Sequence, residues 1–350
     1  MPSLPARPSS RRPAPSNANP PTDVWFALPR GSLILDWAGP AEAFRIANQE
    51  AVSAQGAPAF RMHFVAPHGA SLASVGVELA GLQPLPAAVD APAWVVVVGK
   101  TLTGQRRADD AEDRAVTAWL ARIQPGVRDG VRLVTVCSGA LLAAAAGLLR
   151  GRRVTTHHLD IEWLQEQERG VENGAVVVPD RVFVRDGEVW SSAGVTAGID
   201  LALHLISDRC GAVVAARVAQ RMAVALRRGP DDPQLSPFLA HRRHLNARLH
   251  GVQDAISRAP GEAWTAERMA AEARTTTRTL NRLFALHAGT TPQAYLRGLR
   301  LALARSALES GSSVARAAEA AGFSSDLQLR RAWRSTGSPG APSGRAARHA

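Results

Sequence analysis

Two groups of residues in this 350-residue chain carry side chains whose type and spacing could do chemistry. The first is Cys137-Ser138-Gly139, which ends the apolar run VRLVTV and opens an alanine- and leucine-rich segment with helical spacing. A thiol where a strand hands over to a helix feels the positive end of the helix macrodipole and gives up its proton more readily than a free thiol. Free cysteine is also among the most buried residue types, so plain packing is the alternative reading of Cys137. The second group lies near the C-terminal end: Thr277, Arg278, Asn281 and Arg282, then Asp326, Gln328, Arg330 and Arg331. Such polar and cationic side chains suit base edges and phosphate oxygens, which makes double-stranded DNA the expected partner. No metal site and no cofactor is expected.

These residues need elements to position them. From Val24 to about Cys210 short apolar runs alternate with helical patterns: strands are expected at 24–28, 60–66, 94–98, 132–136, 175–178 and 181–185, and helices at 41–49, 109–123, 141–149 and 199–208. Buried strands alternating with helices imply an α/β domain, a parallel sheet sandwiched between helices. The breaker-rich passage RRGPDDPQLSP (227–237) reads as a linker, and every later segment reads as helix. Two later segments share one grammar of helix, turn and helix. Residues 265–296 carry Thr265 as a candidate N-cap and a turn near Arg274, and residues 313–337 turn at Gly322. In a helix-turn-helix unit the second helix enters the major groove, with Leu280, Leu283, Phe284, Leu329 and Trp333 here facing the core.

Composition narrows the classes. With 46% hydrophobic and 20% charged residues the chain reads as globular, and no apolar run approaches the ~18 residues of a membrane span. Residues 1–22 hold seven prolines and no apolar core of a signal peptide, so a disordered tail and a cytoplasmic protein are expected, with a second disordered tail at 341–350. Two cysteines, Cys137 and Cys210, fit a reducing compartment, and Cys210 reads as structural. Charge is uneven: residues 211–350 hold 21 Arg and 9 Asp+Glu, a net of +12, and residues 1–210 hold 20 Lys+Arg and 21 Asp+Glu, a net of −1. A cationic C-terminal part facing a polyanion is the physical reading of that asymmetry.

The stretches LNRLF (280–284), GTTP (289–292), Tyr295, Arg297, RLALAR (300–305), AGF (321–323) and RAW (331–333) resemble the AraC/XylS DNA-binding domain over roughly the last 90 residues. The resemblance implies two recognition helices in successive major grooves, about one turn (~34 Å) apart. Trp333 stands where Phe is usual, the RSTG segment is one residue short, and Asp326 would repel phosphates while accepting a bond from a cytosine amino group.

Residues 23–210 resemble the ThiJ/PfpI family, a glutamine-amidotransferase-like, flavodoxin-like α/β fold, through DWAGPAEAF (36–44), CSG (137–139), GRRVTTHH (151–158) and SSAGVTAGID (191–200). That resemblance implies a cysteine on a strained elbow, a glutamate hydrogen-bonded to its sulfur and a histidine nearby, which match to Cys137, Glu42 and His157. Ser138 and Asp200 complete the expected pocket, with Asp200 orienting backbone, and His158 replaces the tryptophan common after the matched histidine.

The order of the two domains resembles GlxA-like transcriptional regulators. The expected organisation is a tail (1–22), a sensing domain (23–210), a helical and linker segment (211–250), a DNA-binding domain (251–340) and a tail (341–350). The resemblance implies a non-enzymatic regulator that binds an operator, senses an unknown small molecule and pairs with a second copy through the N-terminal domain. Two alternatives are a cysteine-dependent hydratase or hydrolase of the isocyanide-hydratase type and a thiol-based redox or electrophile sensor.

Overall fold

Five of the six apolar runs expected as strands in the first two hundred residues become strands of one sheet. The computed structural model describes residues 20–101, 111–224, 228–230, 232, 234, 237, 238, 240–242, 244–309, 311–335 and 342. The expected terminal tails lie almost wholly outside these residues. The chain divides into two compact units, unit 1 (Met1–Pro179 and Phe183–Arg228) and unit 2 (Asp180–Val182 and Gly229–Ala350). The division therefore falls inside the 211–250 segment, directly after Arg228.

In unit 1, β1 (Thr22–Ala27) is followed by α1 (Ile34–Gln55), β2 (Phe60–Val65), the two-residue strands β3 (Ser71–Leu72) and β4 (Glu78–Leu79), and β5 (Ala93–Val97). Then come α2 (Ala111–Ile123), β6 (Val131–Val136), α3 (Gly139–Ala145), β7 (Arg153–Val154), α4 (Ile161–Glu168) and β8 (Val176–Val177). The unit closes with β9 (Phe183–Asp186), β10 (Val189–Ser192), α5 (Thr196–Cys210) and α6 (Ala212–Arg221). The main sheet has the order β2-β1-β5-β6-β10-β9, parallel throughout except for the β9–β10 pair. All five residues of β5 are buried, as expected of a parallel strand covered on both faces. One face packs Val95, Val97 and Leu133 with Trp119 and Leu120 of α2 and Leu141 of α3. On α1, Phe44 packs against Phe26, Phe60 and Trp94, with ring centroids 5.0–6.3 Å apart. Each such side chain contributes about 1.5–3 kcal/mol relative to exposure.

Two expectations need correction. The runs at 175–178 and 181–185 do not join one sheet, because β8 pairs with β7 and β9 joins the main sheet through β10. The strand VWSS (β10) escapes a hydrophobicity reading because two of its four buried residues are serines.

Unit 2 is helical: α7 (Ala247–Arg258), α8 (Ala266–Glu272), α9 (Thr277–Leu283), a π-helical turn (Phe284–Ala288), α10 (Pro292–Glu309), α11 (Val314–Ala320) and α12 (Asp326–Ser335). Its helix starts are written in the sequence as side-chain caps. Asn246, Thr265, Thr276 and Ser313 each accept a bond from the backbone N–H three residues on. α10 serves two cores: Tyr295, Leu296 and Leu299 pack with α7, α8 and α9, whereas Leu301 and Ala304 pack with α11 and α12. Among the described residues no helix is long and apolar enough to cross a membrane.

Candidate functional site

The sequence after β6 turns sharply into α3, and the turn is made at Cys137 with φ 56°. A non-glycine residue there is sterically disfavoured and persists only where its surroundings fix it. The Cys137 N–H donates to Ser192 O (3.1 Å), and the Thr156 hydroxyl donates to Cys137 O (2.8 Å). Gly194 (φ 92°) lies so close that a Cβ there would fall 2.3 Å from Cys137 Cβ, so only glycine suits both its conformation and its space. Next to it Val195, at φ 51°, opens α5 as a second strained residue.

The acid on the sulfur is Asp36, in the first turn of α1 and completely buried. Its Oδ1 accepts from Val195 N–H (2.7 Å) and its Oδ2 from Gly99 N–H (3.1 Å), and it is hydrogen-bonded to the Cys137 thiol. Burial raises the Asp36 pKa against the lowering effect of the two backbone bonds. Burial also pushes the Cys137 thiol well above its ordinary range, and the nearby Asp36 carboxylate and Asp160 add to the shift. At neutral pH the sulfur is a thiol, and the macrodipole argument from position alone is outweighed by desolvation.

Glu42 is placed elsewhere, which corrects the assignment carried over from the family pattern. Its side chain is 49% exposed and paired with Arg45, which donates Nε–H at 2.7 Å. Six residues after Asp36 on a helix means a rotation of about 240°, so the two acids cannot share a face. His157 is half-buried beside the elbow segment, its ring 4.2 Å from that of His158 and its carbonyl accepting from Asp160 N–H. Ser138 faces β5: its hydroxyl accepts from Lys100 N–H (3.1 Å), and Lys100 Nζ is paired with buried Asp113 at 2.7 Å. Asp200 lies one turn into α5, buried, and holds Arg228 through a backbone bond (3.1 Å) and an ion pair (2.7 Å).

In unit 2 the two helix-turn-helix units can be read in register. Thr276 caps α9, and the Ser325 hydroxyl accepts from Gln328 N–H at the start of α12. Leu280 and Phe284 of the first unit correspond to Leu329 and Trp333 of the second, and all four face their cores. Helical periodicity then sends Arg278 and Arg282 outward on α9 and Leu327, Arg331 and Arg334 outward on α12, and all five are exposed. Asn281 is exposed and Thr277 half-buried on the flank of α9. Arg330 is also half-buried and faces Asp326 at 3.8 Å, four residues apart on one flank of α12. Gln328 Oε1 is occupied, accepting from Ser324 N–H (2.8 Å) and the Ser324 hydroxyl (3.1 Å). The turn residue Gly322 (φ 78°) meets the backbone of Gly261, whose oxygen would lie 2.3 Å from a Cβ at 322.

Residues 269–337 match the Helix-turn-helix domain family, and residues 85–208 match the DJ-1/PfpI family. Over 317 residues the chain is 30% identical to the HTH-type transcriptional regulator CdhR of Pseudomonas aeruginosa, covering 89% of this chain and 88% of that one. It is equally 30% identical to the HTH-type transcriptional regulator GlxA of Rhizobium meliloti, covering 89% of this chain and 91% of that one. The chain belongs to these GlxA-like, AraC-type transcriptional regulators. A shorter likeness, 40% identity over 101 residues, links 29% of this regulator to 40% of the isonitrile hydratase of Pseudomonas putida.

As a regulator of this family the chain is a DNA-binding protein that carries a DJ-1/PfpI domain ahead of its helix-turn-helix domain. Asp36 escapes a reading of residue types, although it lies in the same DWAGPAEAF segment as Glu42. The available signal was place: an acid in the first turn of a helix, directly after an apolar run, is the acid aimed at the sheet ends. Asp160 beside Cys137, and Leu327 and Arg334 on the outward face of α12, likewise stand out by position and helical phase and not by residue type.

Proposed function

We propose that unit 1 of this regulator binds a small-molecule effector at the Cys137 elbow and does so without turnover. The observation that carries this reading is the buried Asp36 carboxylate, bonded at once to the thiol and to the N–H groups of Gly99 and Val195. A nucleophile needs a thiolate, and this environment disfavours one. An effector that displaced Asp36 from Val195 would act on the first turn of α5. That turn is tied to the end of unit 1, since Arg228 Nη2 donates to the Thr196 hydroxyl (2.9 Å) and Arg228 is paired with Asp200. Coupling then requires only that the effector bind one arrangement of this turn better than the other.

On the DNA, Arg278, Asn281 and Arg282 read the first major groove, and Leu327, Arg331 and Arg334 the second, with Leu327 suited to a thymine methyl. Thr277, Asp326, Gln328 and Arg330 flank these contacts. Pairing of two copies through unit 1 would present four helix-turn-helix units.

A second reading is favoured by the partial likeness to isonitrile hydratase. In it Cys137 Sγ adds to the isonitrile carbon while the thiol proton passes through Asp36 to that same carbon, and water then attacks the resulting thioimidate, breaking the C–S bond to release a formamide and return the thiol. Replacing Cys137 by Ala separates the two. The sensor reading expects unchanged DNA affinity and no isonitrile hydration in either protein. Hydration by the wild type that the variant lacks would establish the enzyme reading instead. Within the sensor reading, Arg228→Ala should keep DNA affinity and abolish the response to an effector found by screening metabolites for stabilisation of unit 1; a retained response would refute the proposed coupling.

A further inference from the structure

Between α10 and α12, within unit 2, lies a cleft of about 340 Å³ lined by Gln293, Arg297, Arg300, Gln328 and Arg331. Among the described residues no carboxylate lines it. Arg300 is fixed in place, its Nε–H donating to Pro260 O (2.9 Å) and Nη2 to Glu262 O (2.7 Å), so only neutral carbonyls answer its charge. Burial lowers its pKa from the ordinary guanidinium value. Arg297 and Arg331 are exposed and have no acid partner among the described residues. Gln328 has its oxygen engaged by Ser324, which leaves its amide N–H groups as the atoms it can offer. The floor is apolar, formed by Leu296 and Phe323. Three guanidinium groups and amide donors around one small space, with no carboxylate among the described lining residues, match the oxygens of a single phosphate group.

We propose that this cleft seats a backbone phosphate of the DNA duplex, fixing the position of α12 in its groove. The proposal rests on the DNA-binding reading above and adds a contact that carries no sequence information. Its link to DNA is geometric. Arg331 belongs both to the cleft and to the outward face of α12 that carries Leu327 and Arg334. A helix lying in a major groove is bordered by the phosphates of the flanking strands. Arg297 and Arg331 close on the phosphate oxygens, while Arg300 supplies a fixed field from behind.

The test uses the full chain and titrates labelled duplexes of random sequence, and of sequence selected by the protein, across a salt series. Arg297→Ala and Gln293→Glu change exposed positions on α10 and leave its core face intact. Arg297→Ala should weaken binding about five- to tenfold near 0.1 M salt, the worth of one released counterion, equally on both duplexes. The slope of log K against log salt should flatten by about 1, and Gln293→Glu should weaken binding further. Unchanged affinity and slope in both variants, with binding to the selected duplex weakened in Arg278→Ala, would overturn the cleft assignment while leaving the regulator reading intact. Failure of the wild type to bind any duplex would instead remove the reading on which the proposal stands. A separate arm adds inorganic phosphate against chloride at equal ionic strength. Stabilisation by phosphate that Arg297→Ala abolishes, with DNA affinity unchanged, would assign the cleft to a free anion and overturn the DNA assignment.

Discussion

At Cys137 only 5% of the residue meets solvent, and Asp36, Gly99 and Gly194 close around its sulfur. A buried thiol next to a carboxylate resists ionisation, so native protein treated with iodoacetamide at pH 7.5 should leave Cys137 unmodified, as read by peptide mass spectrometry. Rapid labelling of Cys137 in the folded protein would contradict the buried-thiol account and favour a thiol sensor. Asp36→Asn retains one acceptor oxygen and sets an amide donor against a backbone N–H. Unit 1 should lose about 1–3 kcal/mol, the cost of an unsatisfied buried donor, measured by denaturant titration. The pH dependence has a definite sign. Because the Asp36 pKa is raised in the folded state, the native form holds its proton longer than the unfolded form. Its contribution is fully present below the ordinary value near 3.8 and is lost as pH rises through the raised value, so the wild-type advantage over Asp36→Asn should shrink from acid toward neutral pH. At this scale the sequence was half legible. Cys137 was marked by the change of hydrophobic pattern around it, whereas the choice between Asp36 and Glu42 depends on which face of α1 meets the sheet, and residue type alone does not carry that.

The elements differ in how openly they are written. β1, β2, β5 and β6 are continuous apolar runs buried in a parallel sheet, and the helices of unit 2 announce themselves by Thr and Ser caps. β10 and α4 were missed because burial of Ser191 and Ser192, and of one face of an eight-residue helix, follows from neighbours that the local sequence does not name. The turn before α12 depends on Gly322, which combines a left-handed backbone with contact against Gly261. Gly322→Ala should cost at least about 1–2 kcal/mol in backbone strain alone, and the added Cβ must push the turn away from Gly261. The expected outcome is a DNA footprint shortened on one side, with the thermal transition of unit 1 unmoved. A full-length footprint at wild-type affinity would refute the requirement for glycine there.

The whole molecule separates its charge. The net of +12 over residues 211–350, set against −1 over residues 1–210, puts the polyanion-facing work in the C-terminal part. Each phosphate met by an arginine adds about −0.9 to the slope of log K against log salt, so Arg297 and Arg331 on α10 and α12 imply a slope of about −1.8 or steeper. A shallow slope in a filter-binding series would contradict phosphate contact by these helices. The division of labour between a DNA reader and a sensor that needs no cysteine chemistry is the central claim. It is tested most directly by fluorescence anisotropy on a duplex selected by the wild-type chain from a randomised pool, comparing wild type, Cys137→Ala and Arg278→Ala. The account predicts wild-type affinity for Cys137→Ala, and for Arg278→Ala a loss of about 1–3 kcal/mol with relaxed preference at one base pair. Loss of binding in Cys137→Ala, or wild-type affinity in Arg278→Ala, would contradict it.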